Sequence, residues 1–343
     1  MSDHERTQEE TTVLVTGISG YLAQHVAKVL LEAGYRVRGT LRDRRREDEL
    51  RGLFGPLGTR LECMQADLLQ DTNWERAMQG CRYVQHVASP FPAQLPKNEA
   101  ELMAPAREGT LRVLRAAAAA RVQRVVLTSS IAAIMFGHAD RFARTFTEAD
   151  WSVSERCVPY QKSKTMAERA AWDFVNTLAA DQPMELVTIN PGLILGPLLG
   201  ADASTSGELV RKLLTREIPA IIPLSYAAVD VRDVAAAHLA AMRVPEAAGQ
   251  RFLCATAATS MSQIAAILRR HYPERRIPSL TLPAWLARGL ARFDATLRLV
   301  YDDIGEVQRF DNTRIRNVLG FQPRELEETV LATAQSYIAR GLA

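Results

Sequence analysis

Apolar residues in the first half of the chain follow two alternating patterns. Short runs rich in β-branched and aliphatic residues occupy 12–15, 35–41, 60–65, 83–87, 122–127 and 185–190, with the length and composition of buried strands. Between them the apolar spacing is helical. Leu22, Val26, Val29 and Leu30 follow the first run, short helical stretches cover 46–57 and 74–78, and longer ones cover 100–120 and 160–178. Strands alternating with helices predict an α/β unit in which a parallel sheet is covered on both faces. Over 197–223 and 256–343 the pattern is mainly helical and rich in turn residues, which predicts a smaller lobe. The expected organisation is a disordered tail over 1–10, a first domain over 11–195 to which 225–255 returns, and a lobe built from 196–224 and 256–343.

The junction between the first strand and the first helix carries chemistry. It reads Thr16-Gly17-Ile18-Ser19-Gly20-Tyr21-Leu22-Ala23, with the helical pattern starting just beyond Gly20. Gly17 permits a tight turn, and Gly20 lets the backbone approach a pyrophosphate seated on the N–H groups of the helix N-terminus. Ala23 is small enough for helix and strand to pack closely, and Ser19, Tyr21 and Leu22 complete the expected cofactor turn. As bare spacing this is equally an ordinary βα turn; its place at the head of a βαβ pattern favours a dinucleotide.

At the end of the second strand, a site that prefers NAD carries an acid for the ribose 2′-hydroxyl. Here the stretch is Arg38-Gly39-Thr40-Leu41-Arg42, and the acid is missing. A guanidinium at Arg42 suits a 2′-phosphate, with one of Arg44–Arg46 assisting, so the expected cofactor is NADP(H). Asp67, followed by Leu68, stands just past the third strand, where it can accept from an adenine amino group or cap the next turn. The fourth strand ends in Val87, Ala88 and Ser89, small enough for a cofactor to lie across them, while His86 within that strand reads as a packed core histidine. The fifth ends in Thr128-Ser129-Ser130, hydroxyls at the carboxyl end of a parallel strand. Pro191, Gly192 and Leu193 follow the sixth and are expected on the nicotinamide side.

Tyr160 and Lys164 stand four residues apart on one helical face. A free phenol titrates near ~10 and is a poor proton donor at neutral pH, whereas an adjacent ammonium favours the phenolate and brings it nearer the working range. The lysine can also donate to a ribose. Such a pair is common by chance, and it gains meaning from the hydroxyls and the glycine turn.

Composition narrows the class. The chain has 343 residues and a net charge of +3, too small to argue for nucleic acid or a membrane surface. Arg44-Arg45-Arg46 runs directly into Glu47-Asp48-Glu49, Arg269, Arg270, Arg275 and Arg276 flank a Tyr-Pro turn, and both groups read as solvated faces. Asp230 and Asp233 around Arg232 read as a structural ion-pair cluster. The four cysteines are scattered with no CxxC pair, which argues against a metal site or a disulfide scaffold and favours a reducing, cytoplasmic setting. The expected partner is a small molecule.

These pieces together resemble an extended-type short-chain dehydrogenase/reductase, in the group of dihydroflavonol reductases, cinnamoyl-CoA reductases and aldehyde/ketone reductases. The resemblance rests on residues 13–23, 37–43, His86-Val87-Ala88-Ser89-Pro90, Leu127-Thr128-Ser129-Ser130, Tyr160-Gln161-Lys162-Ser163-Lys164, Asn190-Pro191-Gly192 with Leu195-Gly196-Pro197, 229–235, Asp311-Asn312-Thr313 and Leu319-Gly320-Phe321-Gln322-Pro323. It implies a Rossmann-type doubly wound parallel sheet with a smaller, mainly helical C-terminal substrate lobe. It also implies a catalytic serine at Ser130, with Ser129 as the lesser candidate, beside Tyr160 and Lys164. The activity implied is NADPH-dependent carbonyl reduction. Helices 100–120 and 160–178 could make a four-helix bundle between two copies, so a monomer or a homodimer is expected.

The segment 131–159 is shorter than in the plant flavonoid enzymes, and the motif that CoA-ester reductases carry there is absent, so neither substrate is expected. Two other readings share parts of the pattern. One is a nucleotide-sugar epimerase or a 3β-hydroxysteroid dehydrogenase with the same triad; against the epimerase, Ile131-Ala132-Ala133-Ile134 follows the serines where such enzymes usually carry Val-Tyr-Gly. The other is a non-catalytic dinucleotide sensor, against which the complete Ser130, Tyr160 and Lys164 set argues.

Overall fold

The computed structural model describes residues 8–89, 100–179, 183–294, 297, 298 and 300–343. In chain order the strands are β1 (Thr12–Val15), β2 (Arg36–Leu41), β3 (Leu61–Gln65), β4 (Cys81–His86), β5 (Arg124–Thr128), β6 (Thr145–Phe146), β7 (Glu185–Pro191), β8 (Leu193–Leu195), β9 (Ser225–Tyr226), β10 (Ala228–Asp230), β11 (Arg251–Cys254), β12 (Thr259–Ser260) and β13 (Arg309–Phe310). Seven of them form one sheet in the order β11-β7-β5-β4-β1-β2-β3. Every pairing within it is parallel. The chain runs outward from β1 through β2 to β3, then returns to β4 on the other side of β1. Beyond the carboxyl ends of β1 and β4 this reversal leaves a crevice.

Side-chain alternation along the strands sorts the core into two layers. Val13, Val15, Val126, Val187 and Ile189 point to the face covered by α1 (Tyr21–Glu32) and α7 (Val231–Arg243). Leu14, Val84, Val125, Leu127 and Leu186 point the other way, against α3 (Trp74–Met78), α4 (Ala100–Ala119) and α5 (Pro159–Asn176). A third apolar cluster joins α6 (Glu208–Leu214), α8 (Met261–His271), α9 (Ala284–Leu290) and the C-terminal helix Leu326–Ala339. No helix among the described residues is long and apolar enough to cross a membrane.

Several elements differ from the sequence reading. The helix expected over 46–57 is α2 (Glu47–Gly52) followed by a 3₁₀ turn Gly55–Arg60, because Gly52, Gly55 and Pro56 interrupt it. Of 197–223 only α6 is helical. The rest is irregular chain held by side chains: Gln24 Oε1 accepts from the Gly200 amide at 2.9 Å, and Ser336 Oγ accepts from that of Leu198 at 3.0 Å. The returning segment supplies β10, which pairs with β8, then α7, and then β11 as the seventh strand of the sheet. Gln8–Glu10 form a 3₁₀ turn ahead of β1 where tail was expected, and residues 1–7 lie outside the described residues. The Asp230–Arg232 pair at 2.7 Å extends to Glu328, and Asp233 pairs with Arg324, so the expected ion-pair cluster is present.

Three histidines are buried between sheet and helices: His25 on α1, His86 on β4 and His238 on α7. Burial lowers His25 to about 4 and His238 to about 3, and burial reinforced by the Lys164 charge lowers His86 to about 3. In the unfolded chain each titrates near ~6.5. Below that pH the unfolded state takes up protons that the folded state refuses, so stability falls as pH drops from ~6.5 toward 4. The loss is about 2 kcal/mol per histidine at pH 5. Urea unfolding between pH 7 and 5 is expected to show this loss, and His238→Gln should reduce the slope by about a third. A flat profile over that window would contradict the burial argument.

Candidate active site

The crevice at the sheet reversal is a cleft of about 630 Å³, bounded by the ends of β1 to β5 and β7 and by the start of α5. That volume lies within the range of small-molecule and cofactor sites, ~300–1,000 Å³. Gly17 adopts φ +65°, and a Cβ there would come 2.9 Å from the Ala88 side chain. Its amide donates to Thr40 Oγ1 at 3.0 Å, which ties the turn to β2. Thr16 Oγ1 accepts from the Ala88 amide at 2.9 Å and bonds His86 Nδ1 at 2.9 Å, which ties it to β4. Gly20 caps α1 without a side chain, so the first turn of the helix opens on the cleft as an anion site would require. Across the cleft, a Cβ on Gly192 would lie 1.8 Å from the Ala227 carbonyl oxygen, so only glycine lets β8 start there.

The three hydroxyls at the end of β5 line the cleft but are not equivalent. Thr128 Oγ1 lies 3.0 Å from His238 Nε2, and His238 Nδ1 lies 2.8 Å from Gln85 Oε1. The amide oxygen can only accept, so the imidazole proton sits on Nδ1 and the Thr128 hydroxyl donates to Nε2. Ser129 is buried and its hydroxyl donates to Glu168 Oε2 at 2.5 Å. Ser130 accepts from the Ala132 amide at 3.1 Å, capping a short 3₁₀ turn, and its own hydrogen has no acceptor among the described residues. All three residues stand at the cleft, as hydroxyls at the carboxyl end of a parallel strand should, but Thr128 and Ser129 donate to protein partners.

Pro159 opens α5 and Tyr160 follows in its first turn, 37% exposed at the cleft mouth. Lys164 lies one turn later, with Nζ 5.9 Å from the centre of the Tyr160 ring. That ammonium donates to Ser89 Oγ at 3.0 Å, joining the helix to the end of β4. Ser130, from the turn after β5, therefore lines one cleft with Tyr160 and Lys164 of α5.

At the other end of the cleft Arg42 is exposed and has no ion-pair partner among the described residues. Its neighbours are engaged: Arg44 with Glu47, Arg45 with Asp43, and Arg46 with both Glu49 and Asp202. Asp67 caps its own turn by accepting from the Leu69 amide at 2.9 Å. Ser19, Gly20, Tyr21, Leu22, Leu68, Val87, Ala88, Ser89, Pro191 and Gly192 all line the cleft. Leu193 does not: its side chain packs into the third apolar cluster, and Ile194 takes its place on the cleft wall. Pro90 lies outside the described residues. Sequence reasoning missed Thr16, Thr40, Glu168 and Arg251, whose roles depend on partners distant in the chain. For Glu168 a signal existed, since it continues the Tyr160–Lys164 face at the next i+4 position.

With this geometry in hand, comparison with known proteins is specific. Residues 13–255 match the NAD dependent epimerase/dehydratase family. The chain is 37% identical over 278 residues to cinnamoyl-CoA reductase CAD2 of Medicago truncatula, covering 78% of this chain and 82% of the relative. It is 33% identical over 344 residues to tetraketide alpha-pyrone reductase 1 of Arabidopsis thaliana, covering 97% of each. The solved structure of yeast methylglyoxal/isovaleraldehyde reductase Gre2 complexed with NADPH superimposes with a TM-score of 0.81 at 30% identity, covering 97% of this chain and all of that one. The parallel sheet, the glycine turn at its reversal and the serine, tyrosine and lysine around one cleft thus have their explanation in descent: this chain belongs to the NAD dependent epimerase/dehydratase family, the extended short-chain dehydrogenase/reductases.

Proposed function

We propose that this protein is an NADPH-dependent carbonyl reductase that interconverts an aldehyde or ketone and its alcohol. The observation that carries the reading is the division of labour at the end of β5, where Ser130 keeps a hydroxyl hydrogen to donate in the cleft that also holds Tyr160 and Lys164. The uncapped first turn of α1 fits a pyrophosphate, Arg42 fits a 2′-phosphate, and the Asp67–Leu68 turn fits the adenine. The salt bridges of Arg44, Arg45 and Arg46 are solvent-exposed or nearly so, worth about 0–1 kcal/mol each, so one of these residues can turn to assist Arg42. The Gre2 relative is complexed with NADPH, and the other relatives' names describe reductases, in line with this assignment.

NADPH, when bound, supplies the hydride. Tyr160 donates its phenolic proton to the oxygen of the carbonyl as that oxygen gains charge. Ser130 donates a hydrogen bond to the same oxygen and holds it in place. Lys164 stabilises the phenolate that remains and, anchored by Ser89, presents its ammonium to a ribose hydroxyl. Four unpaired thiols fit a reducing setting such as the cytoplasm.

Tyr160→Phe removes the proton donor and little else. It is expected to lower kcat by about 10³-fold or more while NADPH still binds, read by steady-state kinetics and by fluorescence titration of the cofactor. Near-normal turnover in that variant would overturn the mechanism. Arg42→Ala is expected to lower kcat/KM for NADPH by about 10–100-fold and to leave NADH nearly unchanged. Consumption of both cofactors against a panel of aldehydes, ketones and β-keto esters tests the whole reading; tight retention of oxidised NAD without turnover would move it to an epimerase.

A further inference from the structure

Behind the cleft, Glu168 on α5 is wholly buried and surrounded by donors. Its Oε2 accepts from Ser129 Oγ at 2.5 Å and from Asn190 Nδ2 at 2.7 Å. Its Oε1 accepts from Arg251 Nε at 2.6 Å, from Thr188 Oγ1 at 3.1 Å and from Trp172 Nε1 at 3.4 Å. Asn190 Nδ2 also donates to the carbonyl oxygen of Ser130 at 3.1 Å. One carboxylate therefore holds the side chain before Ser130 and, through Asn190, the backbone of Ser130 itself.

The partner cation extends the connection. Arg251 heads β11 and donates to the carbonyl oxygens of Glu148 and Asp150, each at 2.7 Å. Its guanidinium lies 3.7 Å from the centre of the Trp151 ring, which Arg169 approaches on α5 at 4.9 Å. Ser152, next in the chain, donates to the Ala132 carbonyl oxygen at 2.8 Å and accepts from the Phe136 amide at 2.9 Å. The segment from 148 to 152 thus braces the turn that Ser130 caps.

We propose that Glu168 is a positioning residue for Ser130, acting through Ser129 and Asn190, and that the Glu168–Arg251 pair sets the serine and the 148–152 segment as one unit. The inference rests on the carbonyl-reductase reading for its kinetic consequence, though not for its structural one. A carboxylate is an acceptor at both oxygens, and every neighbour of Glu168 is a donor. Glutamine has the same volume but turns an NH₂ group against one of those donor sets, and so displaces what it faces without leaving a cavity.

The test is Glu168→Gln with NADPH bound. Its kcat is expected to fall about 10–100-fold while the NADPH Kd and the carbonyl KM change less than about 3-fold, because the fault lies in aim. Hydrogen exchange of the amides over 131–136 and 148–153 is expected to rise, with the β1–α1 turn unaffected. Where the glutamine variant fails to fold, Ser129→Ala removes a single donor and leaves the ion pair, and a fall in kcat of about 3–10-fold is expected. A wild-type kcat in either variant, or parallel loss of kcat and cofactor affinity, would overturn the proposal. Exchange needs no turnover: if the wild-type protein reduces no carbonyl, the reductase reading fails alone, and unchanged exchange over 131–136 in Glu168→Gln would separately overturn the coupling.

Discussion

A carboxylate taken wholly out of water demands donors on every side, and the half of the sheet beyond β4 is arranged around that demand at Glu168. The helix that carries it, the strands β5, β7 and β11, and the 148–152 segment each contribute a group to it or to its arginine. Deleting one member of such a pair costs about 3–5 kcal/mol, a large part of what a domain of this kind has to spare. Replacing the whole set with apolar residues costs far less in principle. A cluster that is expensive to break and cheap to replace as a block makes sense where orientation counts, and here it stands directly behind the residue that faces the cleft.

The other half of the molecule obeys a topological constraint. Because β1 lies between β2 and β4, the chain must leave β1 in one direction and come back in the other, which leaves a gap beyond the two strand ends. Thr16 and Thr40 hold that gap in shape by side-chain hydrogen bonds to its rims. Gly17 is needed both for its positive φ and for the proximity of Ala88. The site is thus framed by backbone on one side and by committed polar side chains on the other.

What could be read along the chain was what neighbours in sequence decide. The strands of the first half, the glycine turn and the Tyr160–Lys164 face are local patterns, and they fold as the pattern says. β11 escaped because four residues headed by an arginine look like a loop until β7 pairs with them and Glu168 neutralises the charge. The region from 197 to 207, expected as part of a mainly helical stretch, is rich in Pro, Gly, Ser and Asp and is tied down by Gln24, Ser336 and Tyr337, far away in sequence, so it never coils. The choice between Ser129 and Ser130 has the same character. In sequence they are two adjacent serines; what separates them is a carboxylate 39 residues further on.

The ion pair between Arg46 and Asp202 joins the turn after β2 to the loop leading into the lobe. Beside it, His25 Nε2 bonds the Pro197 carbonyl oxygen at 2.9 Å, so the first helix grips that same loop. The arginine-rich turn after β2 is therefore tied, by one exposed ion pair and by the hold of α1, to the loop that leads toward α6. Replacing Arg46 would release Asp202 and remove one of the two ties on that loop. A change made in the turn is thus also felt in the loop, and the two segments are best altered together.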